Sequence, residues 1–273
     1  MMYALLVLAL VTSGSSDLSR PERDPAARVP EGDLRITIIY DNYALDTSMR
    51  TDWGFSALFE YGGERVLLDV GTQGEILLSN AEHLGLDLSR VGHLVLSHEH
   101  GDHTGGLSAF LGQLAEGVRP HCYVLPSFPA TLKEAAASGS RVIESTPWLE
   151  IVDGIYTSGE VTGPVNEQAI VVTTARGLVV VTGCAHPGIV KIVKAAKEHF
   201  QQEVYHVIGG FHLGGQSTAR LQHIVQEIRQ LGVQRITPTH CTGDEAISLF
   251  REVYGEDYQA GGTGAVFIIG ERR

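Results

Sequence analysis

Residues 93–106 read HLVLSHEHGDHTGG, and few segments restrict a chain's fold and chemistry as tightly. The apolar run 93–97 has the composition of a buried strand, and it leads directly into His98, His100, Asp102 and His103. In an extended segment residues i and i+2 point the same way, so His98 and His100 can grip one cation from one side. Gly101 permits a sharp turn that swings Asp102 and His103 toward a second cation. Gly105 and Gly106 are expected to start the next helix without side chains crowding the metals. An ordinary His-rich surface turn has no need of the Asp or the glycines at these positions, so a two-metal site is the better reading.

The rest of the chain alternates short β-rich runs with amphipathic helical ones. Strands are predicted at 34–40, 55–61, 65–70, 93–97, 121–125, 169–174, 178–182, 204–208, 235–239 and 265–269. Helices are predicted at 74–84, 106–115, 129–138, 188–200, 218–231 and 243–254. The early strands are consecutive and the later ones alternate with helices, which fits a mixed α+β or α/β single domain over 34–273: a sheet sandwich with helices on its outer faces.

Two further histidines end strands. Gly183-Cys184-Ala185-His186-Pro187-Gly188 follows LVVVT, with Pro187 placed to open a helix. His240-Cys241-Thr242-Gly243 follows RITPT, where Thr242 and Glu245 could form a capping box. Both histidines would lie beside helix N-termini, whose free N–H groups attract anions, and at the strand ends where α/β folds gather their sites. Cys184 reads either as a thiolate bridging two metals or as a small buried residue. His212, in Gly209-Gly210-Phe211-His212-Leu213, is a further metal or substrate contact. Asp69 ends the strand LLDV and either orients a ligand histidine or caps a turn. The remaining histidines, at 83, 93, 121, 199, 206 and 223, read as structural or surface groups.

The chain of 273 residues carries a formal net charge of -12, which argues against nucleic acid as a partner because no basic footprint replaces counterions. Tyr3 to Val11 is an uncharged apolar run followed by small residues. It is shorter than the roughly 20 residues that span a bilayer, so residues 1–16 are expected to be a signal peptide and 17–33 a flexible tether. The expected location is therefore periplasmic or secreted, or cytoplasmic if the leader does not function, with no stable membrane span in the mature chain. Three cysteines exclude a complete disulfide framework, leaving open a Cys184–Cys241 bridge in an exported protein.

The HxHxDH sequence after an apolar strand, preceded by a strand ending Asp69-Val70-Gly71, resembles the metallo-β-lactamase superfamily. Asp41-Asn42, Gly54-Phe55-Ser56, Gly159-Glu160, Asn166-Glu167-Gln168 and the Cys184, His212 and His240 loops resemble its branch of 7,8-dihydropterin-6-methyl-4-(β-ribofuranosyl)aminobenzene-5'-phosphate synthases. Asn166-Glu167 replaces that branch's usual Asp-Asp, and Asp52-Trp53 its usual Glu-His. The resemblance implies an αββα sandwich and two divalent cations, zinc first, with manganese or iron as alternatives. It implies His98, His100, Asp102, His103, His186 and His240 as their ligands. The expected function is a metal-dependent hydrolase in which a hydroxide held between the cations attacks a small anionic phosphoester, ester, thioester or lactam, with Asp102 orienting it. The alternatives are an iron-dependent oxidoreductase or dioxygenase on the same fold, and a non-catalytic metal-binding sensor.

Overall fold

Side-chain alternation along the strands sorts apolar residues onto two faces, and the computed structural model, which describes residues 32–270, shows what each face meets. The expected leader, and all but the end of the expected tether, lie outside the described residues. The first sheet contains β1 (Leu34–Tyr40), β2 (Ser56–Tyr61), β3 (Glu64–Leu68), β4 (His93–Val95), β5 (His121–Val124), β6 (Arg141–Glu144) and β13 (Val266–Ile269), in the order β13-β1-β2-β3-β4-β5-β6. The second contains β7 (Leu149–Val152), β8 (Ile155–Thr157), β9 (Ile170–Thr174), β10 (Gly177–Thr182), β11 (Val204–Gly210) and β12 (Arg235–Thr239), in the order β12-β11-β10-β9-β8-β7.

In β10, Val179 and Val181 face the first sheet, where they join Ile36, Phe59 and Val66. Leu178 and Val180 face outward onto α5 (Ile189–Phe200), α6 (Thr218–Gln230) and α7 (Asp244–Tyr254). All four are 0 % exposed, at about 1.5–3 kcal/mol of burial each, so the strand reads as a continuous apolar run because it is covered on both sides. On the far side, Leu58, Leu67 and Leu94 pack against α1 (Gly74–His83), α3 (Leu107–Gly112) and α4 (Ala130–Ala137). The layers are thus helix, sheet, sheet, helix, in a single domain, as expected.

The departures have local causes. Strands β6, β7 and β8 were not predicted. Two of them, β6 and β7, are the edges of their sheets, and their partly exposed residues carry little apolar signal. Residues 101–104, expected as a turn, form a one-turn helix α2 (Gly101–Thr104), and α3 is shorter than the predicted 106–115. Gly105 and Gly106 serve the backbone rather than the metals: a Cβ would lie 2.3 Å from the Thr72 carbonyl oxygen at one and 2.2 Å from that of Val70 at the other. The two helices after the histidine loops begin at glycines, Gly188 (φ 102°) and Gly243 (φ 85°), so Pro187 does not open α5 and no capping box forms. Thr242 instead donates to the Thr239 carbonyl, and Glu245 accepts from Thr218.

Candidate metal centre

Strands β3 and β4 are parallel, as are β10, β11 and β12, and the loops leaving their C-terminal ends carry every expected site residue. Four non-glycine residues there hold left-handed backbone: Asp69 (φ 57°), Ala185 (φ 56°), His212 (φ 51°) and His240 (φ 49°). Such conformations cost on the order of 1–3 kcal/mol each and persist where the surroundings dictate them. Asp69 shows how. Its Oδ1 accepts from the Ser97 amide at 2.7 Å, and its Oδ2 accepts from the Ser97 hydroxyl at 2.7 Å and from His103 Nδ1 at 2.6 Å. Of its two sequence readings, these contacts fit the orienting one.

These bonds set the ring tautomers. Because Ser97 Oγ spends its proton on Asp69, it can only accept from His98 Nδ1, 2.9 Å away, which leaves the His98 Nε2 lone pair free. His240 Nδ1 donates to Asn42 Oδ1 at 2.8 Å, with the same result at its Nε2. Nε2 of His98, His186 and His240 are all buried without a hydrogen-bond partner. A buried imidazole nitrogen without a partner is costly unless a cation completes it, and three of them converging fit a metal site.

The ligand atoms form overlapping groups in which all lie within 4.8 Å of one another: Asp102, His103, Cys184 and His240; His98, His100 and Asp102; and His98, Cys184 and His186. The rings of His98, His100 and His186 are mutually 4.7–4.8 Å apart, centre to centre. All six expected ligands are therefore together, with Asp102 and Cys184 common to both halves. Cys184 Sγ stands 3.2 Å from His103 Nε2, so it fits a bridging position, and all described cysteines are free thiols, without a Cys184–Cys241 bridge. His212 lies at the rim, its ring 4.1 Å from that of His186.

The electrostatics divide the histidines. Burial, then the neighbouring rings, holds His98 well below the usual imidazole range and His186 down to about 3, so both keep free lone pairs. Burial also opposes charge on His103, but the Asp69 and Asp102 carboxylates outweigh it and push the group up to about 10. A cation at Nε2 would take the place of that proton. Burial would raise Asp102, but the His103 and His240 rings, 3.5 and 3.4 Å from its Oδ2, hold its carboxyl below the ordinary carboxylate range.

Three supporting residues were named in the sequence only as parts of the resembling motifs, with no role assigned. Glu167 is fully buried and accepts the backbone N–H groups of Cys184, Ala185 and His186 at 2.8–2.9 Å. Burial pushes its carboxyl up to about 7, against those donors. Asn42 orients His240, and Gln168 Nε2 ties the Leu96 carbonyl, two residues before His98, to that of Tyr123. Besides the resemblance, the sequence signal was a polar run, Asn166 to Gln168, directly before an apolar strand. Trp53, 53 % exposed, tilts over His240 with 5.0 Å between ring centres.

Residues 54–193 match the family model for the metallo-β-lactamase superfamily. The chain is 28% identical, over 83% of its length and 93% of the relative's, to a Methanocaldococcus jannaschii protein named 7,8-dihydropterin-6-methyl-4-(β-D-ribofuranosyl)-aminobenzene-5'-phosphate synthase. Among solved structures it is similar to Tm1679, a metal-dependent hydrolase of the β-lactamase superfamily, with TM-score 0.75, 25% identity, and 87% of this chain and 100% of that one covered. The Bacillus subtilis metallo-β-lactamase fold protein YhfI shares the fold, with TM-score 0.64 and 15% identity over 86% of this chain and 99% of its own. The αββα layering, the gathered histidines and these matches place the chain in the metallo-β-lactamase superfamily.

Proposed function

We propose that this protein is a metal-dependent hydrolase acting on a small anionic substrate, with a phosphoester as the first choice and a carboxylic ester, thioester or lactam as the others. The observation that carries the reading is three buried, partnerless imidazole nitrogens, those of His98 and His240 grouped with the ionised Asp102 and that of His186 grouped with His98 and Cys184. Two divalent cations, zinc first, bound by His98, His100, His186, Asp102, His103 and His240 would supply Lewis acidity and a hydroxide nucleophile at neutral pH. Asp102 lies in both ligand groups, so its carboxylate can accept a hydrogen bond from the nucleophile and fix its direction. Asp69, Ser97, Asn42 and Glu167 hold the rings still and limit reorganisation during turnover. Within a chain of net charge -12, such cations form a local positive centre that favours an anionic group.

A second reading is supported by the synthase name of the M. jannaschii relative: the same centre could direct an activated phosphoryl-bearing substrate to an organic nucleophile instead of water. One experiment separates these. The protein reloaded with zinc, manganese or iron is assayed on bis(4-nitrophenyl) phosphate and on a lactone, before and after chelation, with and without an aromatic amine acceptor. Hydrolysis that needs metal and is lost in His98→Ala and Asp102→Ala supports the first reading. Turnover only with the acceptor supports the second, and metal-independent turnover or none at all with metal restored sinks both.

A further inference from the structure

Strands β10, β11 and β12 are adjacent and parallel, and each places one more ligand-type side chain just past its end: Cys184, His212 and Cys241. The geometry points to a third, sulfur-rich cation site formed by Cys184, His212 and Cys241, which takes a thiophilic cation such as zinc, cadmium or copper(I) and shares the Cys184 sulfur with the dinuclear centre. The ligand atoms of the three residues lie within 4.8 Å of one another. Around a tetrahedral zinc, with Zn–S near 2.3 Å, two sulfurs are about 3.8 Å apart, so closing the site needs only small side-chain adjustments. Both thiols are free and buried, 2 % exposed at Cys184 and 7 % at Cys241, whereas His212 is exposed and leaves an approach from solvent.

The surrounding backbone makes room for the cysteine sulfur. A Cβ on Gly210 would stand 2.7 Å from Cys241 Sγ and 2.3 Å from the Gly183 carbonyl oxygen, so Cys241 reaches the edge of the centre only because that position is glycine. The three loops are also tied to one another. Thr182 Oγ1 donates to the Gly210 carbonyl at 2.8 Å, and Thr242 Oγ1 accepts from the Phe211 amide at 3.1 Å while donating to Thr239. His212 holds a left-handed backbone at φ 51°, which turns its ring toward His186 and the two sulfurs. Two thiolates and an imidazole leaving a fourth position open make a softer donor set than the imidazoles and carboxylate of the dinuclear centre. Copper(I) or cadmium would therefore prefer this site, while manganese would be confined to the other.

The test uses the full-length reduced protein, stripped of metal and then loaded with zinc or cadmium, with cations per chain counted by elemental analysis. A parallel cobalt(II) titration follows thiolate-to-metal charge transfer. The wild type should hold three zinc or cadmium ions, but only two manganese. Cys241→Ser and His212→Ala should each hold two of any of these, and Cys241→Ser should lose about half of the charge-transfer intensity, one of its two thiolates being gone. Because His212 is exposed, its variant keeps the test open if Cys241→Ser misfolds. The total of three rests on the two cations of the proposed function, whereas the loss of one cation in the variants does not, so the two readings fail separately. Variants that hold as many zinc or cadmium ions as the wild type, or a Cys184–Cys241 disulfide in the loaded protein, would overturn the site.

Discussion

Asp69 meets three donors with two oxygens, and one of them is His103 Nδ1, 2.6 Å away, so the carboxylate fixes the side of the ring turned from Cys184 Sγ. In Asp69→Asn one oxygen becomes an amide that cannot accept from His103 Nδ1. Metal affinity should then drop about 10- to 100-fold, as for other partners that orient a ligand, with secondary structure retained. Competition against a colorimetric chelator measures this, and unchanged affinity would refute the orienting role. At this scale the sequence was informative where chemistry is written locally: His98 to His103 lie within six positions and carry their spacing with them. It gave no role to Glu167, whose partners at 184–186 are reached only when β9 and β10 pair antiparallel and bring the two loops together.

At the scale of elements, the β11–β12 pair contains a titratable group away from the metals. His206 on β11 is buried and bonds Thr237 Oγ1 on β12 at 2.9 Å. Burial, with Arg235 adding to it, lowers its imidazole from 6.5 to about 3. The folded state therefore binds fewer protons than the unfolded one between those values, and stability falls as pH drops from about 6.5 toward 3. The slope contributed is up to about 1.4 kcal/mol per pH unit. His206→Gln should flatten this slope in urea unfolding between pH 6 and 4; an unaltered slope would mean that His206 is not its source. The elements legible in sequence were those buried on both faces, β1, β10 and β12 among them. The edge strands β6 and β7 were missed, and α5 and α7 were found but their starts were misassigned to Pro187 and a capping box, because pairing and close backbone approach, rather than composition, define these features.

For the whole molecule, the expected ligands come from both layers: His98, His100, Asp102 and His103 from the first sheet's loops, His186 and His240 from the second's. A cation held by both sets joins the two sheets. Saturation at one hundred times Kd should stabilise the fold by about 2.7 kcal/mol and raise Tm by several degrees, reversed on chelation. Calorimetry with and without chelator checks this, and coincident transitions would refute a centre spanning the sheets. The export expected of residues 1–16 stands beside this as a separate proposal, tested by whether residues 1–33 carry a periplasmic reporter across the membrane.

The sequence by itself determined a sheet sandwich with outer helices and the His98–His103 cluster, because side-chain period and ligand spacing are local properties of the chain, while the family resemblance implied His186 and His240 as further ligands. Only the tertiary structure decided which groups hold those ligands in place. Asn42 reaches His240 across 198 positions, Cys184 comes within 3.2 Å of His103 across 81, and Gly210 leaves space for Cys241. Those relations exist only once two sheets have packed and their strand ends share one edge, since no periodicity links residues so far apart.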